Sequence, residues 1–113
     1  MNGMTWAIVV GVALVLVLAL RGGKRDVSEA KKAVAGGAKL VDVRTPEEFA
    51  AGHVTGAVNI PVGDLPRRIK DFGAKDVPVV VYCRSGARSA SAKRQLEAAG
   101  FATVLDVGAM SNW

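Results

Sequence analysis

Residues 77–89 read Val77-Pro78-Val79-Val80-Val81-Tyr82-Cys83-Arg84-Ser85-Gly86-Ala87-Arg88-Ser89. The unbroken apolar run up to Tyr82 is the pattern of a strand buried on both faces. From Ser89 onward the pattern becomes helical, with Ala92, Leu96 and Ala99 on one face and Gly100 as the stop. The turn between them holds Cys83, the single cysteine of the chain. A thiol at the carboxyl end of a strand, facing the first turn of a helix, meets converging N–H groups and the favourable end of a helix dipole. Such surroundings lower a thiol pKa from about 8.5 and convert a small hydrophobe into a nucleophile. Arg84 and Arg88 add two cations close by in sequence. A lone cysteine is more often a buried filler. Gly86, the arginines and the strand-to-helix setting reverse that reading here.

Outward from this segment, apolar runs alternate with amphipathic ones. Ser28 is a candidate cap for a helix carrying Ala30, Ala33 and Val34 and ended by Gly36-Gly37. Residues 39–43 form a strand. Thr45-Pro46-Glu47-Glu48 reads as a helix start, with Thr45 as cap, Pro46 at the first helical position and Glu48 closing a capping box. Gly52 ends that short helix. Residues 57–60 form a short strand, 64–72 a basic amphipathic helix, and 102–106 the last strand. Strands with continuous apolar character, separated by short helices, predict an α/β fold with a small parallel sheet flanked by helices on both faces. In such sheets ligands bind beyond the carboxyl ends of the strands. Both Asp42-Val43-Arg44 and the Cys83 turn fall at such ends.

The amino-terminal segment follows different rules. Residues 4–20 are 17 residues without a charge, about 25 Å of helix at 1.5 Å per residue. Trp6 at one interface and Arg21 at the other extend that reach towards a bilayer core of about 30 Å. One transmembrane helix is therefore expected, with residues 1–25 forming an anchor and basic linker and residues 26–113 the folded domain. No basic residue precedes the apolar run and no convincing cleavage site follows it, so a retained single-pass anchor is favoured over a removed leader. Arg21, Lys24 and Arg25 then place the domain on the cytoplasmic side of a bacterial-type inner membrane. Cleavage would instead make the protein an exported one.

The chain of 113 residues carries a net charge of +5, of which those three residues supply three, leaving +2 on residues 26–113. That balance, with no aromatic platform, argues against nucleic acid as a partner. Three juxtamembrane cations suit anionic lipid head groups. One cysteine excludes an internal disulfide and offers no metal framework.

These residues resemble the rhodanese (sulfurtransferase) superfamily in its single-domain form. The resemblance spans residues 28–113. It is carried by Leu40-Val41-Asp42-Val43-Arg44-Thr45-Pro46-Glu47-Glu48-Phe49, by Gly52-His53-Val54-Thr55-Gly56-Ala57-Val58-Asn59-Ile60-Pro61, by the Cys83 turn, and by the ending Gly108-Ala109-Met110-Ser111-Asn112-Trp113. It implies a rhodanese-like fold and a two-step transfer with no metal or organic cofactor. Cys83 takes sulfur from a small anionic donor such as thiosulfate. The Cys83 persulfide then yields that sulfur to cyanide, a thiol or a protein-thiol acceptor. In this reading Cys83 is catalytic. The loop residues Arg84, Ser85, Gly86, Ala87, Arg88 and Ser89 bind the donor, their amides aimed at the terminal sulfur and the two arginines at its charge.

Cys83 to Arg88 is six residues. Related phosphatases and arsenate reductases use a longer C-x5-R cradle, which would put arginine at position 89, where this chain has Ser89. Phosphate chemistry is thereby disfavoured. Two departures from the family pattern stand out. Tandem-domain enzymes tend to have arginine near Glu48, so one donor contact is missing and thiosulfate becomes a surrogate for a persulfide donor. Ala109 replaces the second glycine of the closing motif. Asp42 and Arg44 are expected to support the site as an ion pair rather than line it, and His53 is expected to be structural. Arg67, Arg68 and Lys70 read as a solvated basic face, and Trp113 as packing. The alternative function is a non-catalytic adaptor of the same fold that recruits a partner at the membrane. The intact cysteine loop weighs against it.

Overall fold

The computed structural model describes residues 26–113. The expected anchor in residues 1–25 lies outside the described residues. Among those that are described, no helix is long and apolar enough to cross a membrane. In chain order the elements are α1 (Ser28–Ala35), β1 (Lys39–Asp42), α2 (Pro46–Ala51), β2 (Val58–Asn59), two 3-10 turns (Val62–Arg67 and Ile69–Phe72), β3 (Val79–Cys83), α3 (Ala87–Ala98), β4 (Val104–Ala109) and a final 3-10 turn (Met110–Asn112).

All four strands are parallel, in the order β2-β1-β3-β4. Parallel neighbours need crossover connections, which place helices on the sheet faces. Side chains alternate along β3, so Val79, Val81 and Cys83 face one side and Val80 and Tyr82 the other. The first side packs with Ala92 and Leu96 of α3, with Leu65 and Phe72 of the 3-10 turns, and with Phe101. The second packs with Ala30 of α1, Ala57 and Val107, flanked by Phe49 and Trp113. Every residue of β3 is buried. Covering both faces leaves the carboxyl edge of the sheet as the place where polar groups collect.

Several boundaries differ from the sequence expectation. No continuous helix covers 64–72. Pro66 lies inside that stretch, where it lacks an N–H and disfavours α geometry in the residue before it. The chain instead makes two 3-10 turns that bury Leu65 and Phe72. Arg67 and Arg68 lie 2.8 Å from the carboxylates of Asp64 and Asp71, respectively, so the basic face is partly neutralised. At the start of α1 the Ser28 side chain caps nothing; its N–H donates to the Asp26 carboxylate at 2.9 Å. β2 is only two residues long.

The last strand runs three residues past the expected 106. Its register with β3 shifts between Val81 and Tyr82, so that Tyr82 pairs with Gly108 and Cys83 with Ala109. Gly108 takes a φ of +77°, and its N–H donates to the Asp106 carboxylate at 2.8 Å. This bulge needs glycine at its turn. Ala109 sits at φ −70°, ψ 140°, extended backbone open to any residue, so its departure from the family's second glycine costs no strain.

Candidate active site

β3 delivers Cys83 to the carboxyl edge of the sheet, and the chain must turn sharply to enter α3. Gly86 makes that turn as the residue preceding the helix, at φ 109°, ψ −21°. A residue with a Cβ is strained at such a φ. The conformation points the Gly86 N–H back at the Cys83 sulfur, 3.0 Å away. Ser89, one turn into α3, places its hydroxyl oxygen 3.5 Å from the same sulfur while donating to the Gly86 carbonyl at 3.1 Å. Cys83 and Ser89 are both fully buried. The thiol thus sits at the top of the core, facing loop donors.

These donors decide its acidity. Burial pushes the Cys83 thiol up, but the Ser89 hydroxyl and the backbone amides of Ser89, Gly86 and Ser85 outweigh it and leave the thiol below its ordinary value. The sequence pointed to two guanidinium groups as helpers. Here the hydroxyl and the main chain carry the effect.

The two arginines have different fates. Arg84 is exposed at the loop tip. Arg88 turns to Glu48 on α2, with Nη1–Oε1 at 2.6 Å and Nη2–Oε2 at 3.0 Å, a two-pronged charge-assisted pair. Glu48 also completes the expected capping box. Its Oε1 accepts from the Thr45 N–H at 3.2 Å and the Thr45 hydroxyl at 3.1 Å, and its own N–H donates to the Thr45 hydroxyl. The Arg88 guanidinium first, and then the Thr45 amide, hold the Glu48 carboxyl down at about 2. Sequence reading found Glu48 as a cap and missed the ion pair, because the partners stand 40 positions apart.

Asp42 and Arg44 form the expected ion pair, at 2.6 Å and almost fully buried. Arg44 also donates to the Gly52 carbonyl at 2.7 Å and lies over the Tyr82 ring, 5.8 Å from its centroid. Asn59 donates its side-chain amide to the carbonyls of Asp42 and Arg44 at 3.0 and 2.9 Å. Among the described residues none of these hydrogen bonds reaches the Cys83 loop. The pair braces the end of β1 and the turn after α2, on the sheet face opposite the thiol. His53 stacks on Phe49 at 3.7 Å and contacts the Phe49 carbonyl through Nδ1 at 3.0 Å, an arrangement that closes the end of α2.

A buried sulfur at a strand end, met by the amides of a strand-to-helix loop, is an arrangement suited to a nucleophilic thiol. Comparison with known families agrees: the profile described as "Rhodanese-like domain" matches residues 26–113. The chain belongs to the rhodanese family.

Relatives of this rhodanese-like domain include a sulfurtransferase of Allochromatium vinosum, 43% identical over 75 residues, covering 66% of this chain and 69% of that protein. Thiosulfate sulfurtransferase 16 of Arabidopsis thaliana is 40% identical, over 68% of this chain and 74% of its own length. Among solved structures, the human single-domain sulfurtransferase TSTD1 superposes with a TM-score of 0.70 at 29% identity, over 81% of this chain and 96% of that one. Sulfurtransferase chemistry is thus supported at the level of the family.

Proposed function

We propose that this rhodanese-like domain transfers sulfane sulfur through a persulfide on Cys83. The observation that carries the proposal is the donor set around the sulfur: the Gly86 amide at 3.0 Å and the Ser89 hydroxyl at 3.5 Å, which together with the amides of Ser85 and Ser89 favour the thiolate. The Cys83 thiolate attacks the outer sulfur of thiosulfate. The sulfur–sulfur bond of the donor breaks, its electron pair leaves with sulfite, and a Cys83 persulfide anion remains. An acceptor thiolate or cyanide then attacks the outer persulfide sulfur and frees Cys83. This is covalent catalysis in two half-reactions. The amides of Ser85, Gly86 and Ser89, already directed at the Cys83 sulfur, are donors in place for negative charge before it develops.

The experiment is direct. The protein is incubated with thiosulfate alone and weighed by mass spectrometry, then given cyanide and followed for thiocyanate. A gain of one sulfur atom and steady turnover are expected, and both vanish in Cys83→Ser. A wild-type protein that neither gains sulfur nor turns over with thiosulfate, mercaptopyruvate or polysulfide is an adaptor instead. We further propose that residues 4–20 tether the domain to the cytoplasmic face of a membrane, a reading supported by their lack of charge and the basic residues that follow. Protease added outside intact cells should leave the domain uncut; digestion would overturn that topology.

A further inference from the structure

Glu48 is more than a cap. It is fixed from two sides, by the Thr45 amide and hydroxyl and by the two-pronged grip of Arg88. The carboxylate therefore occupies both prongs of one of the two cations in the cysteine loop. The other, Arg84, is exposed and has no hydrogen bond or ion pair among the described residues. With Cys83 ionised, the thiolate and the Glu48 carboxylate balance the two arginines, and the mouth of the loop carries no surplus positive charge. Repulsion between the thiolate and an approaching donor doubles when the donor carries two negative charges instead of one.

We infer that Glu48 is a positioning residue for donor selectivity: by holding Arg88 it turns the loop from doubly charged thiosulfate towards singly charged organic persulfides. The inference rests on the sulfurtransferase reading above. In the favoured half-reaction the Cys83 thiolate attacks the outer sulfur of R–S–S⁻. The bond between the two donor sulfurs breaks, the electron pair leaves on R–S⁻, and the Cys83 persulfide anion forms. One negative charge enters with the donor and one departs.

Two measurements test it separately from the enzymatic reading. In the first, thiosulfate is titrated calorimetrically into Cys83→Ser protein with and without Glu48→Gln. Glutamine keeps the oxygen that accepts from Thr45 and loses the charge that grips Arg88. Thiosulfate should bind about tenfold more tightly, the weight of one charge-assisted hydrogen bond, and the gain should disappear when Arg88→Gln is added. In the second, the wild-type protein is loaded from thiosulfate and from cysteine persulfide. The persulfide should be preferred, and Glu48→Gln should narrow the preference through KM for thiosulfate rather than through kcat. An unchanged affinity, a gain that survives the loss of Arg88, or a wild-type preference for thiosulfate would each overturn the inference. Loading from neither donor would overturn the sulfurtransferase reading itself, whatever the titration shows.

Discussion

The Ser89 hydroxyl oxygen lies 3.5 Å from the Cys83 sulfur and reaches the Gly86 carbonyl at 3.1 Å. One rotation about its C–O bond lets it abandon that carbonyl and donate to a thiolate instead. The residue that in a longer oxyanion cradle would be the arginine is thus a switchable donor aimed at sulfur. Ser89→Ala should raise the thiol pKa, since the first of the groups that lower it is removed. The rate of iodoacetamide alkylation against pH is the measurement. The variant's profile should move to higher pH, with slower alkylation at neutrality; an unmoved profile would mean that the backbone amides suffice.

Gly86→Ala isolates conformation from space. A Cβ there would meet only the Gly108 Cα, at an ordinary 3.8 Å, but at a φ of +109°. The cost is therefore backbone strain, roughly 1–3 kcal/mol. Relief of that strain turns the Gly86 N–H away from the sulfur. A lower melting temperature together with an alkylation profile shifted to higher pH is expected. Loss of stability with an unaltered thiol would separate the two effects and disprove their coupling.

Asp42→Ala tests the brace on the other face. It leaves the Arg44 guanidinium buried beside the Gly52 carbonyl and the Tyr82 ring, with no carboxylate among the described residues to balance its charge. Removing one member of a buried pair costs about 3–5 kcal/mol. Denaturant unfolding should show that loss, and replacing both residues by apolar ones should recover much of it. A double variant as unstable as Asp42→Ala would indicate that packing, not the stranded charge, is responsible.

Acid stability reports on Glu48. Its carboxyl is held at about 2 in the folded protein against an ordinary 4.5. A depressed carboxyl stabilises the fold fully above the unfolded value and loses that contribution as pH falls towards the folded one. Wild type should therefore exceed Glu48→Gln in melting temperature at pH 6, and the gap should close between about 4.5 and 2. A gap that stays constant over this window would place the ion pair outside the stability of the fold.

The strand-turn-helix core of the site was legible because its signals are local. An apolar run, a glycine and a helical repeat lie within a few residues of one another, and α3 differs from expectation only in starting at Ala87 and ending at Ala98. The Thr45–Glu48 cap was legible for the same reason. What escaped is non-local or depends on backbone detail. Nothing in residues 64–72 outweighs the helical charge pattern except Pro66, which decides the geometry. Asp106 and Gly108 look like the end of a strand and are in fact a bulge that carries it onward to pair Ala109 with Cys83. The Glu48–Arg88 contact follows from topology: β1 and β3 are adjacent and parallel, so the helices that follow them begin at the same edge of the sheet. That adjacency is a property of strand order, which no single segment encodes.

The resting sulfur has no exposed surface, and this imposes an order of events. Any reagent must displace the loop over it to reach the bare thiolate, and a small donor displaces less of it than a protein thiol does. A second sulfur bonded to the first extends the reactive tip by about 2 Å. On the proposed persulfide route the outer sulfur therefore stands nearer to solvent than the bare thiolate, so loading favours small donors and unloading admits larger acceptors.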